Sequence, residues 1–156
     1  MTESEGKALA GQYCSGAEHC CLEVRAMLER HKVETENINR ILKYLISEGF
    51  IDESRYARAF VHDKVRFAKW GRSKITQALW LKRIPQDIAN AALSSIDEEE
   101  YMAALREITQ SRYHSAKGST DYERKIKTMK TVCGRGYEPS LVRKVLDLQD
   151  APDIMP

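Results

Sequence analysis

The sequence predicts an all-α protein of three tandem three-helix repeats forming an elongated, curved array. Three observations carry that reading. Period-two alternation is scarce, and no N-G or D-G turn joins two apolar runs, which argues against strands. Apolar residues recur instead at helical spacing. The chain also repeats itself. I-D-E-x-x-Y at Ile51, Asp52, Glu53 and Tyr56 returns at Ile96, Asp97, Glu98 and Tyr101. An apolar triplet with intervals of 5 and 9 residues occurs as Leu28, Val33 and Leu42, as Leu79, Ile84 and Leu93, and as Val132, Tyr137 and Leu146.

The spacings set the boundaries, with repeat 1 over 8–51, repeat 2 over 52–96 and repeat 3 over 97–148, flanked by flexible tails at 1–7 and 149–156. In each repeat a helix ends near the first member of the triplet, the chain turns at the second, and another helix packs through the third. In repeat 1, Ser15 and Glu18 form an S-x-x-E pattern expected to open the second helix as a capping box. In repeat 2, a helix is predicted over 53–69: Asp52 is its N-cap, Glu53 favours the positive end of the helix dipole, and Tyr56, Ala57, Phe60, Val61, Val65 and Ala68 share its core side. Repeat 3 copies this, with Asp97 as cap and Tyr101, Ala104, Leu105 and Ile108 as the stripe. The acidic run Glu98 to Glu100 is therefore the start of a helix and not a metal site. The stretch SRYHSAKGST at 111–120 is expected to be a mobile loop between the first and second helices of repeat 3. Gly136 suits a left-handed turn with Tyr137 as its apolar partner, and Pro85 and Pro139 are tolerated where a following helix begins. A three-helix unit of this size closes little core alone, so neighbours are expected to stack.

Composition narrows the functional classes. Of 156 residues, 31% are charged and 42% apolar, too apolar for a disordered chain and too interrupted for a membrane span of about 18 apolar residues. The N-terminal stretch MTESEGKALAG has no signal-like apolar run, so a cytoplasmic protein without membrane association is expected. Cys14, Cys20, Cys21 and Cys133 lack paired C-x-x-C spacing and are read as free thiols. His19, His31, His62 and His114 are scattered, and no nucleotide-binding or hydrolase motif is present. No enzyme activity and no cofactor is expected.

Charge is the informative feature. The net charge is only +2, yet residues 55–93 carry 9 bases against 2 acids, and residues 124–148 carry 7 against 2. On the 53–69 helix, Arg55, Arg58, His62, Arg66 and Lys69 fall within an arc of about 80° at 100° per residue, opposite the apolar side. Lys64 alone falls in the apolar arc and must extend out of it. Arg72, Lys74, Lys82 and Arg83 follow. A surface built only for solubility mixes signs, so this excess calls for a polyanionic or acidic partner. Repeat 3 adds Arg124, Lys125, Lys127, Lys130, Arg135, Arg143 and Lys144. Trp70 and Trp80 flank the second helix of repeat 2 and are expected to pack between repeats, with stacking on a base or a partner surface as the alternative for Trp80.

The run D52-E-S-R-Y-A-R-A-F-V61, followed by K69-W-G71, Ile75, Leu79, Lys82 and Ile84, resembles the RecX family of bacterial regulators, as do the three-copy spacing and the final R135-G136-Y137 turn. The resemblance covers about residues 8–148. Arg83 stands where the family usually has glycine, and Cys14-Ser15 where an arginine-serine pair is common. The resemblance implies a protein that binds the RecA recombinase, alone or as a filament on single-stranded DNA, and inhibits its recombination, ATPase and coprotease activities in DNA repair and the SOS response; a monomer is expected. The expected contact residues are Arg55, Arg58, Arg66, Lys69, Arg72, Lys74, Lys82, Arg83, Lys130, Arg135, Arg143 and Lys144. Naked DNA would be bound only weakly. The alternative is a direct DNA-binding protein with little sequence preference, since base-reading candidates are limited to Gln77, Gln86 and Asn90. A purely structural adaptor is a third possibility, favoured if the basic edge proves dispensable.

Overall fold

The computed structural model describes residues 1–148; the expected tail at 149–156 lies outside them. Among the described residues there are nine α-helices and no strand: α1 Glu3–Gly16, α2 Cys21–Arg30, α3 Thr35–Ser47, α4 Glu53–Arg66, α5 Arg72–Leu81, α6 Gln86–Ser94, α7 Glu98–Ser115, α8 Asp121–Cys133 and α9 Pro139–Leu146. They follow as three sets of three. The chain divides into two compact units, residues 1–60 with 79–92 and residues 61–78 with 93 onward. The middle set of helices thus contributes to both.

The first unit buries Val24, Leu28, Ile38, Ile41, Leu45 and Ile51 together, with Tyr13 and Cys14 packed at the margin. α1 starts earlier than the expected tail allows. Thr2 Oγ1 accepts the Glu5 N–H at 3.1 Å and Glu5 Oε1 accepts the Thr2 N–H at 3.2 Å, so a capping box starts the helix at Glu3. Ser15 does not cap α2. It lies inside α1, where its hydroxyl donates to the Gly11 carbonyl at 2.9 Å, the i−4 bond open to a helical serine. α2 opens instead at Cys20, whose N–H donates to Glu23 Oε1 at 3.2 Å.

The repeated I-D-E is a junction between helices. Gly49 turns the chain at a φ of 79°, Ile51 is buried and its N–H reaches the Leu45 carbonyl at 3.2 Å, and Asp52 Oδ1 accepts the Arg55 N–H at 3.0 Å to open α4. Asp97 opens α7 in the same way, accepting the Glu99 N–H at 3.1 Å. The triplet turns also share one geometry. Lys32, Arg83 and Gly136 have φ of 59°, 59° and 98°, each directly before the buried Val33, Ile84 and Tyr137. Val33 and Ile84 donate back to the carbonyls of Leu28 and Leu79, both at 3.1 Å. Arg83 adopts the left-handed conformation that glycine would supply, at a cost of roughly 1 kcal/mol.

α4 departs from expectation at its end. Tyr56, Ala57, Val61 and Val65 are buried, but Phe60 is only half-buried, against the Tyr56 ring at 5.8 Å. The helix stops at Arg66, and Lys69 turns away with a φ of 52°.

In the second unit α7 continues to Ser115, so half of the expected 111–120 loop is helical. The sequence SRYHS contains no glycine or proline to stop it, and the break comes only before Gly118. The remaining 116–120 connection is anchored. Arg124 donates to the carbonyls of Ala116 at 3.2 Å and Tyr113 at 2.9 Å, with its guanidinium 4.2 Å from the Tyr113 ring centre. Thr120 Oγ1 caps α8 by accepting the Glu123 N–H at 3.1 Å.

The centre of this unit is a backbone contact. The Gly71 N–H donates to the Arg135 carbonyl at 2.8 Å and the Ser73 N–H to the Gly136 carbonyl at 3.1 Å. A Cβ on Gly71 would overlap the Gly136 carbonyl group and the Tyr137 nitrogen. Below the contact the rings of Tyr101 and Tyr137, both fully buried, lie 5.4 Å apart. Gly71→Ala is expected to destabilise by about 3 kcal/mol or more through backbone overlap. Gly11→Ala, inside α1 with nothing within 4 Å of the added carbon, should stabilise by about 0.5–1 kcal/mol. Urea denaturation of the two variants measures both.

Candidate functional site

The twelve bases nominated by the sequence fall into distinct environments. In the first unit, Arg55 pairs with Glu18 through Nε and donates from Nη2 to the Gly49 carbonyl at 3.0 Å, serving the end of α3. Lys82 Nζ lies 3.0 Å from Glu23 Oε2. Burial alone would raise the Glu23 carboxyl, but Lys82, the Cys20 N–H and His19 hold it below its ordinary range. Arg58 and Arg83 are exposed and make no salt bridge among the described residues.

In the second unit, two arginines belong to the fold. Arg72 bridges Glu98 and Glu138, the latter at 2.6 Å, while its guanidinium covers the Tyr101 ring at 4.0 Å and its N–H donates to Tyr101 Oη at 3.0 Å. Tyr101 in turn donates to Glu138, and burial followed by that carboxylate pushes its hydroxyl well above the ordinary phenol range. Arg135 donates to the carbonyls of Lys69, at 3.0 Å, and Ala68, closing the exposed end of α4. These hydrogen bonds commit both side chains before any partner arrives.

Arg66 and Lys69 are looser. Arg66 Nε and His62 Nε2 stand 3.6 and 3.8 Å from Glu100 Oε1, and Lys69 Nζ stands 3.6 Å from Glu107 Oε2. Lys69 reaches this place from the turn after α4, so it is not a member of the helical arc assigned to it. Lys74 and Lys64 place their ammonium groups 4.5 and 4.6 Å from the Trp70 ring centre; Lys64 leaves the apolar arc by lying along that indole. Lys130 and Lys144 are exposed without a salt bridge among the described residues, and Arg143 is half-buried. Five of the bases thus meet carboxylates of their own chain, Glu18, Glu23, Glu98, Glu100, Glu107 and Glu138. The local excess counted along the sequence is partly offset by acids distant in the chain.

Trp80 is 71% exposed, and beside it Leu81 is 63% exposed. The expectation that Trp80 packs between repeats is not met: Leu79 takes the inward position of α5, and steps of 100° carry the next two side chains outward. Phe67, which no sequence signal singled out, is 72% exposed at the end of α4.

Cys20 and Cys133 are buried and Cys14 and Cys21 half-buried. Burial raises all four thiols, Cys21 up to about 12 with help from Glu53. Among the described residues no group of three or more His, Cys, Asp or Glu side chains is placed to hold a metal ion, and no helix is long and apolar enough to cross a membrane.

Comparison with known proteins decides the family. The family model for the second three-helix domain of RecX matches residues 52–93, and that for the third matches 98–146, together more than half of the chain. The chain belongs to the RecX family. Curated relatives named regulatory protein RecX include that of Clostridium acetobutylicum, 32% identical over 128 residues covering 80% of this chain and 59% of the relative. That of Lactobacillus johnsonii is 26% identical over 148 residues, 95% of this chain and 55% of the relative. That of Prosthecochloris aestuarii is 29% identical over 137 residues, 86% of this chain and 87% of the relative. The chain therefore spans little more than half the length of the first two. In fold it is similar to a crystal structure of a regulatory protein RecX, with a TM-score of 0.84 at 19% identity over 93% of this chain and 73% of that one. A second is RecX from Lactobacillus salivarius, at 0.80 and 20% over 94% and 97%. The RecX domain matches span α4 to α6 and α7 to α9, and the family is one of regulatory proteins.

Two outcomes are expected. Arg135→Ala strands two carbonyls, and Arg72→Ala removes the donor to Glu138 Oε2 and uncovers the buried Tyr101 ring, so each should lower stability in urea by about 2 kcal/mol or more, whereas Arg58→Ala should change it by less than about 0.5 kcal/mol. For the thiols, a pKa near 12 leaves about 1 part in 10⁴ of Cys21 as thiolate at pH 8, so alkylation of Cys21 by iodoacetamide should run about 10³-fold slower in the native protein than in denaturant, as read by peptide mass spectrometry.

Proposed function

We propose that this RecX-family protein acts as a cytoplasmic monomer that binds a RecA recombinase, alone or as its filament on single-stranded DNA, and restrains recombination, ATP hydrolysis and coprotease activity. The observation that carries the proposal is the match to RecX domains over both 52–93 and 98–146. The electrostatics support it. Arg58, Arg83, Lys130 and Lys144 remain exposed without a salt bridge among the described residues, and such bases are drawn to an assembly that displays phosphates and acidic protein surface. Arg72, Arg135, Arg55 and Lys82 act behind them by holding helix ends and turns in place.

Direct binding to DNA is the second reading, favoured by the same exposed bases and by the exposed rings of Phe67 and Trp80, a surface on which unpaired bases can stack. Salt separates the two. If phosphate contacts dominate, log affinity for naked DNA falls with log salt at a slope of about −0.7 per contact for a single strand and about −0.9 for a duplex, and naked DNA competes with the filament.

The test is single-stranded-DNA-dependent ATP hydrolysis by the cognate recombinase. The protein should inhibit it, and Arg58→Glu combined with Arg83→Glu should raise the half-inhibitory concentration about tenfold, equivalent to about 1.4 kcal/mol, with unchanged helical content. Unchanged hydrolysis by the unmutated protein, with equal affinity for naked DNA and filament, would replace this function with the second reading.

A further inference from the structure

Within the second unit, the end of α4 and one stripe of α7 enclose a groove of about 250 Å³, lined by Arg66, Lys69, Glu100, Ala103, Ala104 and Glu107. The α7 residues fall at i, i+3, i+4 and i+7, so they share one helix face. Two alanines leave its floor open between two carboxylates, and the two cations stand on the opposite wall. Its ion pairs are not closed. They span 3.6 to 3.8 Å, against 2.6 Å for Arg72 with Glu138 and 3.0 Å for Lys82 with Glu23. Glu100 Oε1 is shielded from solvent yet accepts no hydrogen bond, a state that a buried carboxylate oxygen ordinarily avoids. Arg66 is more than half exposed, with donors to spare.

We infer that this groove docks a protein segment carrying neighbouring basic and acidic side chains, the basic group donating to Glu100 and Glu107 and the acidic group accepting from Arg66 and Lys69. The inference rests on the proposed function and assigns this face to the protein component of the partner filament. A phosphate backbone is all negative and would meet two carboxylates for every two cations here, so its net attraction is small. A mixed-charge segment satisfies both walls at once and supplies the missing donor to Glu100. Open ion pairs also exchange readily for intermolecular ones, because little geometry is lost when they part.

The experiment uses the full chain with Glu100→Gln plus Glu107→Gln, and separately Glu107→Gln alone and Arg66→Gln. Binding is measured by fluorescence anisotropy to a labelled oligothymidylate, both naked and coated with the cognate recombinase. The double carboxamide variant should lose about tenfold in affinity for the coated strand while its affinity for the naked strand holds or rises, since two negative charges are gone. Arg66→Gln should likewise weaken binding to the coated strand, leaving the naked strand within twofold. Glu107 is 71% exposed, so its single variant keeps the test valid if the double variant folds poorly. Unchanged or tighter binding of the carboxamide variants to the coated strand, or a parallel loss on both strands for Arg66→Gln, overturns the groove assignment alone. Failure of the unmutated chain to bind the coated strand overturns the proposed function together with it.

Discussion

Two backbone turns, 69–71 and 135–137, meet with no side chain between them, and the second compact unit is organised by that contact. Glycine at 71 and 136 removes the Cβ atoms that would hold the turns apart, and two backbone hydrogen bonds then join segments more than sixty residues apart in the chain. The contact leaves carbonyls at the end of α4 without helical partners, and Arg135 supplies them. It also brings Arg72 over Tyr101 and against Glu138, so a single close approach determines the surroundings of two arginines and two buried tyrosines. Charge, aromatic burial and chain direction are coupled there, and no one of them can be altered alone.

That coupling changes the meaning of the basic residues. A count along the chain treats every lysine and arginine as available, but burial and hydrogen bonding divide them by role. Some satisfy helix ends, as Arg55 and Arg135 do. Some answer a carboxylate from a distant helix, as Arg72 and Lys82 do. Others stand exposed, as Arg58, Arg83, Lys130 and Lys144 do. Arg66 and Lys69 are intermediate, with carboxylates near enough to attract and too far to hydrogen-bond, although Lys69 Nζ also donates to the Arg66 carbonyl at 3.3 Å. Such a graded arrangement lets a chain of nearly zero net charge still offer directional electrostatics, because specificity depends on which charges remain free to move and not on their sum.

The repeat logic shows what the fold tolerates. Each triplet turn needs a left-handed residue before its apolar anchor. Glycine meets that need at 136, while Lys32 and Arg83 meet it with a strained backbone and solvent-exposed side chains. The burial of Val33 and Ile84 and the hydrogen bonds that close the turns offset that strain. The turn is preserved by its anchor even where the residue best suited to it is absent.

Helix content, the three sets of three helices, the I-D-E junctions and the triplet turns were legible in the sequence, because capping, periodicity and turn chemistry act over a few residues and leave short patterns. The same locality explains the misreadings. Ser15 and Glu18 match a capping pattern that the continuing α1 makes irrelevant, 111–115 remain helical because nothing stops them, and Lys69 leaves its arc because the turn to Gly71 is dictated by residue 136. The family was legible through the 52–61 and 69–84 runs together with the repeat spacing. Tertiary structure alone decided which arginines are committed, that Trp80 faces outward, and that Glu100 lacks a donor. These depend on pairings between residues tens of positions apart, and long-range electrostatic partners leave no periodic trace in a single chain.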